Sequence, residues 1–190
     1  MRIILQTDNG RIEIEVFENQ APITSAYFLS LIDREDYDDA TFYRSSTLGV
    51  EGGPRLIQGG LLGGLLSETV SKPAGGDNPA LLEVIETTSM TGLRHREGTV
   101  SLARDLVDTG FALPEIFICL GDFPQLDFGG RSKPDELGFP AFGEVVIGLD
   151  VAEKIAESET AGAARIGMLE GQILTRAVAI RAAQRSESPS

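Results

Sequence analysis

The sequence predicts a mainly β domain, an antiparallel barrel or sandwich with helices at its ends. Three observations carry this reading. Short strand-like runs with a period of two recur along the chain. Only two segments, one early and one late, have helical spacing. Strands do not alternate with helices, as a doubly wound α/β sheet would require. The chain has 190 residues and shows no internal repeat or linker. It reads as one domain over residues 1–184, followed by a polar tail at 185–190 expected to be disordered.

Residues 2–7 form the first strand-like run. Asp8-Asn9-Gly10 is a turn, because Asn-Gly accepts the positive φ angles of tight hairpin loops. Ile12, Ile14 and Val16 then alternate with Glu13 and Glu15, as in a strand with one buried and one solvated face. Pro22 suits a first helical position, where its missing N–H does no harm. Thr24, Phe28, Leu31, Ile32 and Glu35 recur at helical spacing, and the middle three make the apolar stripe. The acidic stretch 33–39 lacks the glycine and the final glutamate of a calcium loop and reads as a solvated turn.

A short strand is expected at 41–44, a loop at 45–54, and a strand ending in a bend at Leu56-Ile57-Gln58-Gly59-Gly60. Residues 63–92 are weakly patterned. Strands follow at 99–103 and 115–120, then a stretch at 121–140 broken by glycines and prolines. Residues 142–146 read as a strand. Asp150, with Glu153 three residues on, predicts a capped helix whose Val151, Ile155 and Ala156 face inward. Residues 173–183 look like a closing strand.

Acidic residues number 29 and basic residues 16, for a net charge of −13. That balance argues against a nucleic-acid partner and against docking on an anionic membrane. No apolar run reaches the ~20 residues of a membrane span. The N-terminal residues lack the apolar run of an export signal, so a cytoplasmic location is expected, or a periplasmic one if such a signal has been removed. A single cysteine, Cys119, excludes an intrachain disulfide and a Cys-rich zinc site, and no metal or cofactor is expected. Cys119 lies within an apolar strand and reads as core packing. His95 is the one histidine, without a G-x-S-x-G elbow, and reads as a structural loop residue. Gly59-Gly60-Leu61-Leu62-Gly63-Gly64 is not followed by Lys-Ser or Lys-Thr, so close backbone packing explains it better than a phosphate loop.

Seven fragments remain, in a fixed order over residues 10 to 156. They are Arg11-Ile12-Glu13-Ile14-Glu15-Val16-Phe17 with Ala21-Pro22-Ile23-Thr24 and Phe28; Phe42-Tyr43-Arg44; Gln58-Gly59-Gly60; Gly98-Thr99-Val100-Ser101-Leu102-Ala103-Arg104; Ile116-Phe117-Ile118-Cys119; Leu126-Asp127; and Phe142-Gly143-Glu144-Val145-Val146 with Gly148-Leu149-Asp150-Val151. Together they resemble the cyclophilins. The resemblance implies a closed eight-stranded antiparallel β-barrel with two capping α-helices. It implies peptidyl-prolyl cis–trans isomerase activity on Pro-containing segments, in a groove on the outside of the barrel. A monomer is expected.

In this resemblance Arg44 matches the family's catalytic arginine. Phe117 matches the aromatic floor under the proline ring, Leu56 and Leu126 match apolar walls, and Gln58 matches the amide that holds the substrate backbone. Ala103 matches the small residue leaving room for the neighbouring chain, and Phe42, on the same strand as Arg44, is placed with the substrate contacts. Several groove positions depart from the pattern, among them Ile116, which replaces the first of two aromatics. Arg104 stands where the family has Asn, Glu115 where it has Gln, and Phe139 where a pocket His is usual. Gln125 replaces a common Trp, from which weak cyclosporin binding is expected. Arg55 falls near the usual pocket Phe, and the loops at 45–55 and 128–138 are long and expected to flank the groove. Glu115 is expected beside Arg44, where it could pair with the guanidinium.

The chemistry agrees with the residues left over. Rotation about a prolyl bond needs no nucleophile or general base. It breaks amide resonance, with a barrier of ~18–20 kcal/mol, and a donor aimed at the proline nitrogen favours the twisted state over the planar one. Alternative readings are a cyclophilin-like module that binds Pro-containing segments with slow turnover, and an assembly subunit that reuses the barrel.

Overall fold

The computed structural model describes residues 1–70 and 80–186. Eight strands form a closed antiparallel barrel in the order β1-β2-β7-β5-β6-β4-β3-β8. They are β1 (Arg2–Thr7), β2 (Gly10–Val16), β3 (Thr41–Ser46), β4 (Arg55–Gly60), β5 (Thr99–Arg104), β6 (Ala112–Leu120), β7 (Ala141–Ile147) and β8 (Ile173–Arg185). Pairing of β8 with both β1 and β3 closes the cylinder and removes every sheet edge.

The first hairpin forms where expected, with Thr7 paired to Gly10 across an Asp8-Asn9 loop, but Asn9 does not take a positive φ and only Gly10, already in β2, does so at φ 137°. Ile3, Leu5, Ile12 and Ile14 are fully buried in the barrel interior. Glu13, expected on a solvated face, is instead covered and pairs with Arg11 at 2.7 Å.

Helix α1 (Pro22–Asp33) begins at the proline and buries Phe28, Leu31 and Ile32 against β7 and β8. Phe28 sits 4.9 Å from Phe142 and 5.5 Å from Tyr37, ring centre to ring centre. No side chain of the preceding loop caps this helix. Glu86 does so from the weakly patterned stretch. It accepts bonds from the Ile23 N–H at 3.2 Å, the Thr24 N–H at 2.6 Å and the Thr24 hydroxyl at 2.7 Å. A carboxylate there satisfies orphan donors and complements the helix dipole. The same stretch holds two single-turn helices, α2 (Gly63–Leu66) and α3 (Thr88–Thr91). Its residues 71–79 lie outside the described part of the chain.

Helix α4 (Leu149–Ala156) buries Val151, Ala152, Ile155 and Ala156. Asp150 does not cap it. Gly148 precedes the helix at φ 87°, where a Cβ would strike the carbonyl oxygen of Arg11, and Asp150 lies inside the first turn facing Lys154. The chain end also differs from expectation. Arg185 is not part of a loose tail but the last residue of β8, opposite Ile3 and ion-paired to Asp33 at 2.7 Å. Residues 187–190 lie outside the described residues.

Two features of the sheet place the site. Gly59 lies where a side chain would collide with the carbonyl oxygen of Thr41, so β3 and β4 approach closely there. A bulge in β3 shifts the register between Phe42, opposite Gly59, and Arg44, opposite Gln58. Without it, period-two alternation would put Phe42 and Arg44 on the same face. With it, Phe42 points into the barrel and Arg44 points out.

Candidate active site

Alternate residues of three strands build an apolar cluster outside the barrel interior. Leu56 on β4, Ala103 on β5, and Phe117 and Cys119 on β6 join Phe123, Leu126 and Phe139 from the loops. Their neighbours Ile57, Leu102, Ile116 and Ile118 face the interior. Over this cluster lies a half-open groove of about 610 Å³. Arg44, Leu56, Gln58, Ala103, Arg104, Phe117, Leu126 and Phe139 all line it, as does Gln125. Both long loops contribute, Leu48 from one and Arg131 from the other.

Two expected contacts do not reach the groove. Phe42 is fully buried in the barrel core, sent there by the β3 bulge. Glu115 is fully buried below the groove, because the chain at Gly60 to Leu62 passes over it. Arg55 also lies away from the groove and bonds to Ser45 Oγ and the Ala156 carbonyl.

Arg44 is held on two sides. Its Nη1 donates to Gln58 Oε1 at 2.7 Å, while Nε and Nη2 donate to Gln172 Oε1 at 3.0 and 2.6 Å. A guanidinium carries five N–H donors. Three are engaged, and one on Nη1 and one on Nη2 are left for a ligand. Burial lowers the Arg44 pKa, but the group stays charged at any working pH. Sequence reading missed Gln172, which is fixed by its own Nε2 donating to the Met168 carbonyl at 2.9 Å. It is 128 positions from Arg44, and no motif or spacing marks it.

Behind Arg44 lies a buried polar chain. Gln58 Nε2 donates to the Tyr43 hydroxyl at 3.0 Å and to Glu115 Oε2 at 3.3 Å. Tyr43 donates to Glu115 Oε2 at 2.7 Å, and the Leu62 N–H donates to Glu115 Oε1 at 2.5 Å. Glu115 forms no ion pair with Arg44, contrary to expectation, and reaches it only through Gln58. Burial pushes the Glu115 pKa up to about 7, against the opposing pull of these donors. The same burial and the neighbouring Glu115 push the Tyr43 hydroxyl well up, so it stays neutral and donates.

The floor is also supported from below. The His95 ring stacks on Phe117 at 5.7 Å, and Phe139 meets Phe117 edge-on at 5.5 Å. His95 lies between Asp127, at 2.8 Å from Nδ1, and Ser101, at 3.2 Å from Nε2. Serine, histidine and aspartate in such a line resemble a hydrolase triad. Here Ser101 is fully buried and no substrate reaches it. The line fixes the ring that carries Phe117, in keeping with a structural role for His95. Cys119 is buried and its thiol pKa is raised by burial, which leaves it unreactive.

Arg104 lines the groove with its stem, but its head is committed. It donates to the carbonyls of Gly110 and Gly138 at 2.8 and 2.7 Å and grips Asp135 at 3.1 and 2.8 Å. An asparagine could not span these partners. The arginine therefore ties the long 128–138 loop to the barrel. Arg131 from that loop lies over Phe139, its guanidinium carbon 4.6 Å from the ring centre.

The comparisons with known proteins fit this geometry. The family model described as "Cyclophilin type peptidyl-prolyl cis-trans isomerase/CLD" matches residues 2–178. The chain is 30% identical over 158 residues to peptidyl-prolyl cis-trans isomerase A of Dickeya dadantii, covering 83% of this chain and 72% of that protein. It is 29% identical over 153 residues to peptidyl-prolyl cis-trans isomerase B of Escherichia coli, covering 80% and 82%. A cyclophilin-type isomerase from Cryptosporidium parvum, crystallised in the presence of the dipeptide Ala-Pro, superposes with a TM-score of 0.72. That match spans 99% of this chain and 100% of the other at 17% identity, which speaks to the fold alone.

Proposed function

The chain belongs to the cyclophilin-type peptidyl-prolyl cis–trans isomerases, and on that premise we propose that its groove accelerates X–Pro rotation with Arg44 as the donor to the imide nitrogen. One observation carries the assignment of roles. Arg44 keeps two N–H donors unengaged at the polar edge of a groove whose floor, Phe117, and walls, Leu56, Leu126 and Phe139, are apolar.

The mechanism follows from that contrast. A proline ring laid on Phe117 is gripped by dispersion and desolvation, while its amide lies toward Arg44. In the planar ground state the nitrogen lone pair is delocalised and accepts no hydrogen bond. As the bond twists, the lone pair localises and the guanidinium donates to it. The bond strengthens only along the reaction, so it lowers the barrier rather than trapping substrate. The low-dielectric floor makes that donor more effective than water. No bond to the protein forms, consistent with a buried His95, Ser101 and Cys119. Gln58 and Gln172 act by positioning Arg44.

We read the active unit as a single chain, since the closed barrel leaves no open strand edge for a second chain to pair with. The test is magnetisation exchange between the cis and trans forms of an Ala-Pro peptide, with catalytic amounts of protein. Acceleration well above the spontaneous rate is expected. Binding without acceleration would make the groove a Pro-binding module, and neither would leave the barrel as an assembly subunit. The positioning role has its own test. Gln172→Ala removes one acceptor shared by two Arg44 donors, a loss of about 1 kcal/mol. We expect kcat to fall roughly three- to tenfold with KM little changed, because the donor acts on the twisted state. Gln172→Glu should recover part of the activity, since its carboxylate accepts the Arg44 bonds but loses the donor that fixes Gln172 to the Met168 carbonyl.

A further inference from the structure

The chain as a whole is strongly acidic, with a net charge of −13, yet the groove is locally cationic. Its ionisable lining is Arg44, Arg104, Arg131 and Asp105. These charges are not equally occupied. Asp105 is satisfied by its own loop, accepting from the N–H groups of Val107, Asp108 and Thr109. Arg104 holds Asp135 in a bidentate grip. Arg44 is held by two neutral amides. Arg131 alone among the described groove cations makes neither a salt bridge nor a hydrogen bond; Asp135 acts on it only at longer range, its carboxylate being gripped by Arg104.

The placement of Arg131 gives its charge a direction. Its face rests on Phe139, and Phe139 meets the Phe117 floor edge-on. A charge on this wall therefore stands one aromatic ring away from the proline cradle, within reach of a residue adjoining the proline. Nε and Nη2 are shut off from solvent without partners, while Nη1 remains open. Burial is the main cost to this charge, the nearby Asp135 offsets it in part and Arg104 works against it, so an arriving carboxylate would supply the hydrogen-bonded partner that Arg131 lacks.

We propose that Arg131 is a specificity-determining residue and that the groove selects Pro-containing segments carrying an Asp or Glu beside the proline. The proposal rests on the isomerase reading above and adds the chemistry of the substrate to it.

The test uses two series of acetylated, amidated peptides, with Glu, Gln or Lys just before or just after an Ala-Pro unit. In one of the two series, kcat/KM for the Glu peptide should exceed that for the Gln peptide three- to tenfold at low salt, with Lys lowest. Added salt should shrink the ratio, because the open side of the guanidinium is screened. Arg131→Gln should bring the Glu-to-Gln ratio to about one, and Arg131→Glu should invert the order in favour of Lys. A ratio near one in the wild type in both series, or an order that survives in Arg131→Glu, overturns the proposal. Titrating the same peptides and reading amide shifts separates this from the parent reading. Charge-selective binding that follows residue 131 without any turnover supports the proposal while sinking the isomerase. Turnover without charge selection does the reverse.

Discussion

Replacing Arg44 by alanine is expected to lower kcat for X–Pro exchange by about ten- to a hundredfold. The size follows from one charge-assisted hydrogen bond, worth ~1.5–3 kcal/mol, converted at about 1.36 kcal/mol per decade. Peptide affinity should change little, because the apolar floor of Phe117, Leu56 and Leu126 does not depend on the guanidinium. A fall in kcat with steady KM is the pattern of an interaction made only in the transition state. Arg44→Lys should recover little. An ammonium has no planar fork to bridge Gln58 on one side and Gln172 on the other while still presenting a donor to the ligand. The variant should fold, since Arg44 lines an open groove, where water can take the guanidinium's place at the Gln58 and Gln172 amide oxygens. Exchange spectroscopy with wild type, Arg44→Ala and Arg44→Lys decides the matter. An alanine variant within twofold of wild type would remove Arg44 from the mechanism.

Arg44, Gln58 and Phe117 were legible in the sequence because their signals are local. Each sits in a short fragment whose neighbours fix a strand, and alternation then assigns the face. The same rule misplaces Phe42. A bulge between Phe42 and Arg44 changes the parity of β3, and whether a strand bulges depends on how it pairs with β4 and β8, not on its own residues. Glu115 fails for a related reason. Its strand assigns it to the groove side, but the crossing at Gly60 to Leu62 seals it off. The least legible contributions come from the greatest separations. Glu86 completes the start of α1 from 62 residues away and Gln172 orients Arg44 from 128. Both lie in stretches without periodicity, where nothing in the composition distinguishes a buried cap or a positioning amide from an ordinary loop residue. The Asp150 cap shows the converse error. A capping pattern was present, but the left-handed Gly148 had already set where the helix begins.

Glu115→Gln is expected to change the pH dependence of stability more than any other single substitution in the site. The Glu115 carboxyl has a folded pKa pushed up to about 7, against 4.5 for an unperturbed glutamate. The folded protein thus binds this proton more tightly than the unfolded chain does. Below the unfolded value the group is neutral in both states and costs nothing. As pH rises through 4.5 the unfolded chain gives up its proton first, and stability falls until the folded carboxyl ionises near 7. Between pH 5 and 8 the loss comes to roughly 2–3 kcal/mol. A glutamine has no such proton, so its stability relative to wild type should rise by that amount over the same interval. Any fixed difference in hydrogen bonding to Tyr43, Gln58 or the Leu62 N–H shifts the whole curve without altering its slope. The carboxyls held low by arginine or amide partners, such as Asp105 and Asp135, act in the opposite sense. Their stabilisation is present above their unfolded value of 3.8 and is lost as pH falls below it, outside this window. Urea denaturation of both proteins at pH 5, 6.5 and 8 measures the difference directly. Parallel curves would mean that Glu115 ionises in the fold as it does in water. The polar chain behind Arg44 would then be anchored by an ordinary carboxylate throughout the pH range in which the groove works.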